Sequence, residues 1–426
     1  MSDSVPTAAD RQTIRGLAAR WAEIAAQPIM AKRKRQWRAL HDLRPERPMI
    51  HFETGSIDGY VAADELRCQH PELREVEATL RDAIRHFEEV GDDIVLEPYF
   101  RIGWDLVPSS WGVEIVQVPA EVATGEIPLG YTFNFPIRRP EDVSLLQPRT
   151  FSVDRERTLA RQSLLEDCFG DLLPIRVGNY DSMKVGTETW VGNFLVGLTW
   201  QIYRFVGNDR LLYWFYDAPE SIHALMRYMV EDRKRMLAYL ESEGVLVPNT
   251  DRVMAGPGAY GYVSDLPDPD LAEPARVSDL WCWSESQETT MISPAMFEEF
   301  FLPSIAEVTR PFGLTYYGCC EALHDRFPLI EKEVPNLRAV SVSGWSDLAK
   351  MGEMLDRKYV YSRKPTPAYI SGANPNWDLL KKDVRLTLEG AKNCSLEFCF
   401  RDIYTIDGDR PRLAQWVRMT RAMMGE

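Results

Sequence analysis

The stretch that decides the fold is Leu314-Thr-Tyr-Tyr-Gly-Cys-Cys-Glu-Ala-Leu-His324, with the helical pattern of residues 324–334 and the apolar run Leu337-Arg-Ala-Val-Ser-Val-Ser343 behind it. An aromatic strand ends at a glycine, polar and sulfur groups follow, a helix returns the chain, and a second strand begins. Two strands joined through a helix run parallel, because the crossover returns the chain to the same end of the sheet. The same alternation extends in both directions. Upstream, Pro48–Glu53, Ile94–Phe100, Leu173–Val177 and Trp281–Trp283 read as extended. Downstream, Lys358–Ser362 and Cys394–Phe400 do so. Helical patterns cover Glu72–Glu89, Val196–Tyr203, Glu220–Glu241, Pro294–Val308, Pro375–Glu389 and Pro411–Met424. About eight strands with intervening helices predict a closed (β/α)8 barrel. Residues 103–150 carry short strands and turns, and predict a β-rich insertion. Residues 1–45 predict a helical arm with a mobile start over residues 1–15, and 46–426 the barrel.

Active sites of such barrels lie at the C-terminal ends of the strands. The polar groups expected there are His51 and Glu53, Asn179 and Asp181, and Glu285, Gln287 and Glu288. With them come Cys319, Cys320 and Glu321, then Ser343, Trp345 and Asp347, Arg363 and Lys364, and finally Glu397, Cys399, Arg401 and Asp402. Cys and Glu are ligand types for a borderline-soft ion such as zinc, and also nucleophiles and proton carriers. Neighbouring residues of a strand face opposite ways, so a regular strand turns one of Cys319 and Cys320 inward. Glu397 and Cys399 share a face, and Cys399 is a natural partner for a thiol across the barrel. Glu285, Gln287 and Glu397 are the candidates for orienting substrate or moving a proton. His41, His70, His86 and His223 read as ordinary, and Cys68, Cys168, Cys282 and Cys394 as structural. Gly256-Pro-Gly-Ala-Tyr-Gly261 has the letters of a dinucleotide fingerprint without the strand before it or the helix after it. It is read as a loop over the barrel mouth.

A hydrophobic content of 45% and an aromatic content of 11% across 426 residues belong to a packed globular chain. A net charge of −15 argues against nucleic-acid binding, which needs a basic footprint. No apolar run reaches membrane-spanning length, and the N-terminus lacks a signal-peptide pattern. Seven scattered cysteines predict a reducing, cytoplasmic setting.

Glu285-Ser-Gln-Glu288, Ser293-Pro-Ala-Met-Phe297, Phe312-Gly-Leu and Tyr317-Gly-Cys-Cys-Glu321 together resemble the uroporphyrinogen decarboxylase superfamily. Val340–Trp345, Tyr359–Pro365 and Glu397–Asp402 fit the same group, and the chain is more similar to its methyltransferase branch than to its decarboxylases. The resemblance implies the (β/α)8 barrel. It also implies a zinc site built from a His-x-Cys pair and a distant Cys, at whose positions this chain has Tyr317, Cys319 and Cys399. With Tyr in place of His, the implied metal ligands are Cys319, Cys320, Glu321 and Cys399. The decarboxylases' Arg-rich N-terminal motif is replaced by Pro48-Met-Ile-His-Phe-Glu-Thr-Gly55, which argues against porphyrin decarboxylation. No corrinoid-carrying Asp-x-His-x-x-Gly occurs, so cobalamin chemistry would need a corrinoid protein or free cofactor.

The function expected is a corrinoid-dependent methyltransferase, or demethylase, acting on a small methylated compound, methoxylated ones included. The alternatives are a metal-free decarboxylase or lyase on the same barrel, with Arg363, Lys364 and Arg401 holding a carboxylate, and a non-catalytic binding subunit.

Overall fold

The computed structural model describes residues 5–119, 130–179, 197–271 and 273–426. Its centre is a parallel sheet. We label β1 (Met49–Phe52), β2 (Phe100–Gly103), β3 (Ile175–Gly178), β4 (Trp281–Ser284), β5 (Leu314–Tyr317), β6 (Leu337–Val342), β7 (Val360–Arg363) and β8 (Ser395–Phe400). Six of these form one ladder in the order β1-β8-β7-β6-β5-β4, every pair parallel. β2 and β3 form a separate parallel pair. The expected α/β class with a parallel sheet is therefore present, and hydrogen-bonded ladders join six strands rather than a full ring.

Backbone and side-chain hydrogen bonds link the two edges of the ladder to the segments beside them. On one side, Asp93 N donates to Ile50 O, while the carboxylates of Asp93 and Asp92 accept from Ile50 N and Phe52 N. On the other, Val247 N donates to Asn179 Oδ1, and Asn249 exchanges hydrogen bonds with both the N and O of Trp281. Backbone groups that would otherwise be orphaned at a buried edge are thus satisfied.

Burial follows the strand period of two. Met49, Tyr316, Ala339, Val360 and Cys399 belong to an inner cluster, and Ile50, Tyr317, Val340, Tyr361 and Phe398 to an outer one packed under helices. The inner cluster takes in the N-terminal arm through Ile14, Trp21, Trp37 and Leu40. Trp21 and Trp37 donate their indole N–H to the backbone oxygens of Glu97 and Asp93, which fixes the arm against the strand edge.

The structure shifts several local expectations. A helix starts at Ala8, where a mobile start was expected, because Thr7 and Asp10 form a reciprocal cap. The arm is two helices, Ala8–Ala25 and Pro28–His41, divided where Pro28 opens the second. The Pro294–Val308 pattern divides in the same way, into Pro294–Phe300 and Leu302–Thr309. The segment from Ile94 pairs only from Phe100 onward. The β-rich insertion is present as two short antiparallel pairs, Leu106–Pro108 with Phe151–Val153 and Gln117–Pro119 with Tyr131–Phe133. No helix of the described residues is long and apolar enough to cross a membrane.

Candidate functional site

The C-terminal ends of β4, β5, β8 and β1 converge on a buried polar network. After β4 comes Glu285, and its Oε2 accepts from Gln287 N at 2.9 Å. Thr199 Oγ1 lies 3.3 Å from Glu285 Oε1 and 2.7 Å from Glu288 Oε2, so one hydroxyl ties the two carboxyl groups together. Burial, then the charges of Glu288 and Glu321, push Glu285 well above the ordinary carboxylate range. A carboxyl so placed keeps its proton and can act as a general acid. Gln287 lies in a short turn, Gln287–Thr289, and its backbone rather than its side chain engages Glu285.

After β5 the chain turns at Gly318, whose φ of +98° suits only glycine. The turn breaks the strand alternation and settles the direction of the two thiols. Cys319 is buried with the inner cluster, while Cys320 is exposed. Their sulfurs are 3.6 Å apart. The hydrogen bond from Cys319 holds the Cys320 thiol below its ordinary value, and the same bond raises Cys319. Glu321 is a brace: Oε1 accepts from Ser286 N at 2.9 Å and Oε2 from Cys319 N at 2.8 Å. Tyr317, at the position where the resemblance implies a His, points to the outer layer and donates to Ser286 Oγ at 3.0 Å.

Arg401 and Asp402 follow β8. Arg401 Nε lies 3.3 Å from Glu53 Oε2 and 3.4 Å from Asp402 Oδ2, and Asp402 Oδ2 lies 3.9 Å from Cys320 Sγ. The two Arg401 contacts are charge contacts without hydrogen-bond alignment, whereas the Cys320 thiol donates to Asp402 Oδ2. Nε and Nη1 of Arg401 are buried with no hydrogen-bond partner among the described residues. Asp402 has a φ of +58°, in the left-handed region that Asp enters more readily than most residues with a Cβ. Trp345 and Tyr404, both exposed, lie on the loops after β6 and β8.

Glu397 and Cys399 lie elsewhere. Glu397 is at the opposite, N-terminal side of its strand, in register with Met49. His41 of the arm sits 3.1 Å from Glu397 Oε2. Burial works to raise Glu397, but the His41 hydrogen bond and the Lys364 charge hold it below its ordinary value. Its role in this geometry is to anchor the arm. Cys399 faces inward beside Ser362 Oγ at 3.8 Å, and burial pushes its thiol up to about 12. The segment 256–261 is no loop over the mouth. Met254–Gly256 and Ala259–Tyr260 form a tight hairpin inside the sheet. Gly256 lies against the Tyr316 ring, and Gly258, at a φ of +71°, against Cys399. Asp181 lies outside the described residues.

The ligand atoms of Cys319, Cys320, Glu321 and Cys399 therefore do not form one group. Among the described residues, the three His, Cys, Asp or Glu side chains whose ligand atoms all lie within 4.8 Å of one another are His51, His86 and Asp92. In the sequence, His51 stands at a strand end, His86 reads as an ordinary helix residue, and Asp92 carries no motif. No protein-family model matches the chain, and no curated protein matches it significantly.

Proposed function

We propose that the chain is a methyltransferase that moves a methyl group between a small methoxylated substrate and a corrinoid, carried by a separate protein or free. We further read the sheet as a closed (β/α)8 barrel, in which Asp92, Asp93, Asn179 and Asn249 bridge the gaps between the six-stranded ladder and the β2–β3 pair. The observation that carries the functional reading is the Cys319–Cys320 pair at the strand ends, with one thiol exposed and held below its ordinary pKa. A soft thiolate is a good acceptor for a methyl group and, stabilised by a neighbouring S–H, a workable leaving group.

Zinc bound through Cys319, Cys320, Glu321 and Cys399 does not fit. Both oxygens of Glu321 already accept backbone N–H groups, and Cys399 lies under the Gly256–Gly258 hairpin. No step is therefore assigned to a metal there. In the first step, the Cys320 thiolate forms an S–CH3 bond as the O–CH3 bond of the substrate breaks. The electron pair stays on oxygen, which takes the proton held at Glu285. A corrinoid held beside Cys320 would supply the acceptor for that methyl group, breaking the S–CH3 bond. The electron pair returns to sulfur, where the Cys319 S–H and the Arg401 charge stabilise it. The free N–H groups of Arg401 suit a substrate carboxylate.

The test is incubation with a panel of methoxybenzoates and reduced cobalamin, with measurement of the demethylated phenol. Activity is expected to follow a bell-shaped pH profile. It rises as Cys320 ionises, below the ordinary thiol value of 9.0, and falls as Glu285 gives up its proton. Glu285→Gln is expected to lower the rate about 100-fold and to remove the falling limb, while the rising limb stays. A profile that keeps its falling limb in that variant would remove Glu285 from the acid role.

The unpartnered N–H groups of Arg401 favour, as a second reading, a metal-free decarboxylase or lyase that grips a carboxylate. Release of carbon dioxide without methyl transfer from the same panel would select it.

A further inference from the structure

We propose that His51, His86 and Asp92 form a binding site for a divalent first-row transition metal ion of the zinc or ferrous class, separate from the thiols at the strand ends. Two imidazoles and one carboxylate are a ligand set for such ions that leaves coordination positions open for water or a substrate atom. All three side chains are buried, and their ligand atoms lie within 4.8 Å of one another.

The hydrogen bonds around the site leave each imidazole a nitrogen lone pair for an ion. His51 Nδ1 is 2.8 Å from the carbonyl oxygen of Gly258, which can only accept, so Nδ1 carries the proton. Nε2 of His51 is left as a lone pair, with no hydrogen bond among the described residues. Thr54 has one hydroxyl proton, and both oxygens of Asp82 stand ready for it at 2.8 and 2.9 Å. With that proton on Asp82, the Thr54 oxygen accepts from His86 Nδ1 at 3.2 Å. That leaves the lone pair of His86 Nε2 aimed at Asp92 Oδ2, 2.8 Å away. Asp92 already accepts from Phe52 N and Ile94 N, so it has no proton to offer. A lone pair facing a carboxylate in a buried site needs a positive species nearby, either a proton on His86 or a metal ion.

The surroundings suit the ion. Asp82–Thr54–His86 and Gly258–His51 are the outer contacts that orient metal-bound imidazoles and fix their tautomers. The two rings stand nearly parallel, 5.7 Å apart and inclined by 12°. Arg252 adds positive charge near His51 and Asp82, and the carboxyl groups of Asp82 and Asp92 oppose it. His51 is in register with Cys399, so the ion would sit on the inner face of the sheet, one strand from that thiol.

The experiment uses the full chain, purified without a histidine tag, stripped with a chelator and titrated with cobalt(II). Binding is read without turnover, so its outcome is independent of the methyl-transfer proposal. About one cobalt per chain is expected, with visible d–d bands and no thiolate-to-cobalt charge-transfer band. His86→Ala and Asp92→Asn are expected to weaken binding at least about 100-fold, and the Cys319→Ser/Cys320→Ser pair to leave it unchanged. Should His86→Ala fail to fold by circular dichroism, His51→Gln tests the same loss. An absence of cobalt binding would mean that His86 and Asp92 are only an ion pair, and would overturn the proposal. So would binding lost with the thiols and kept without the imidazoles.

Discussion

Replacing Cys320 by serine is expected to lower kcat/KM for demethylation by at least about 100-fold, roughly 2.7 kcal/mol of barrier. Serine keeps the size and the hydrogen bond but gives no thiolate near neutral pH. The sulfur of Cys320 is the exposed one of the pair, and the Cys319 hydrogen bond favours its ionised form. Cys399→Ser is the contrasting variant. Its sulfur is buried beside Ser362 and beneath Gly258, and its thiol is pushed up to about 12, so it is expected to change the rate by less than about threefold. Steady-state kinetics on both variants would check the pair. Equal losses would point to a metal shared by the two thiols rather than a carrier sulfur.

Gly256→Ala is expected to destabilise the chain by about 3 kcal/mol or more, at the upper end of overpacking effects. A Cβ at this position would lie 2.2 Å from ring carbons of Tyr316. That ring is completely buried on the inner face and cannot swing aside. The hairpin must therefore withdraw or the strands must spread. Urea unfolding of Gly256→Ala, Tyr316→Ala and the double variant measures the clash. The double variant should recover part of the loss, because the two sites share one volume. A shift below about 0.5 kcal/mol for Gly256→Ala would mean that the hairpin does not occupy the interior of the sheet.

The fold was legible wherever side-chain period and punctuation agreed. β5 to β8 are short apolar runs with a Gly, Pro or Asn at one end or both, and β4 to β8 each appear within a residue or two of the expected place. The ends of the six-stranded ladder were not legible, since the contacts there come from the side chains of Asp92, Asp93, Asn179 and Asn249 and leave no strand pattern. Of the site, the strand-end groups Glu285, Cys320, Glu53 and Arg401 could be read from position alone. Which thiol faces inward could not, because the positive φ of Gly318 resets the alternation. The His51–His86–Asp92 group follows no motif spacing. His86 reaches it from the last turn of the helix Pro71–Glu89, and Asp92 from the turn beyond. The single sequence signal was two aspartates directly before the buried run Ile94-Val-Leu, where an unpaired charge would be costly. Gly256-Pro-Gly258 misled because its glycines serve close packing on Tyr316 and Cys399 rather than a solvent-exposed turn.

A methyl group carried by one sulfur can be read directly by mass spectrometry. The full chain would be incubated with a methoxybenzoate labelled in its methyl group, without corrinoid, then digested and mapped. One labelled methyl on Cys320 is expected, lost on addition of reduced cobalamin and absent from Cys320→Ser. Demethylation that proceeds with no label on any cysteine, and undiminished in Cys320→Ser, would contradict the account.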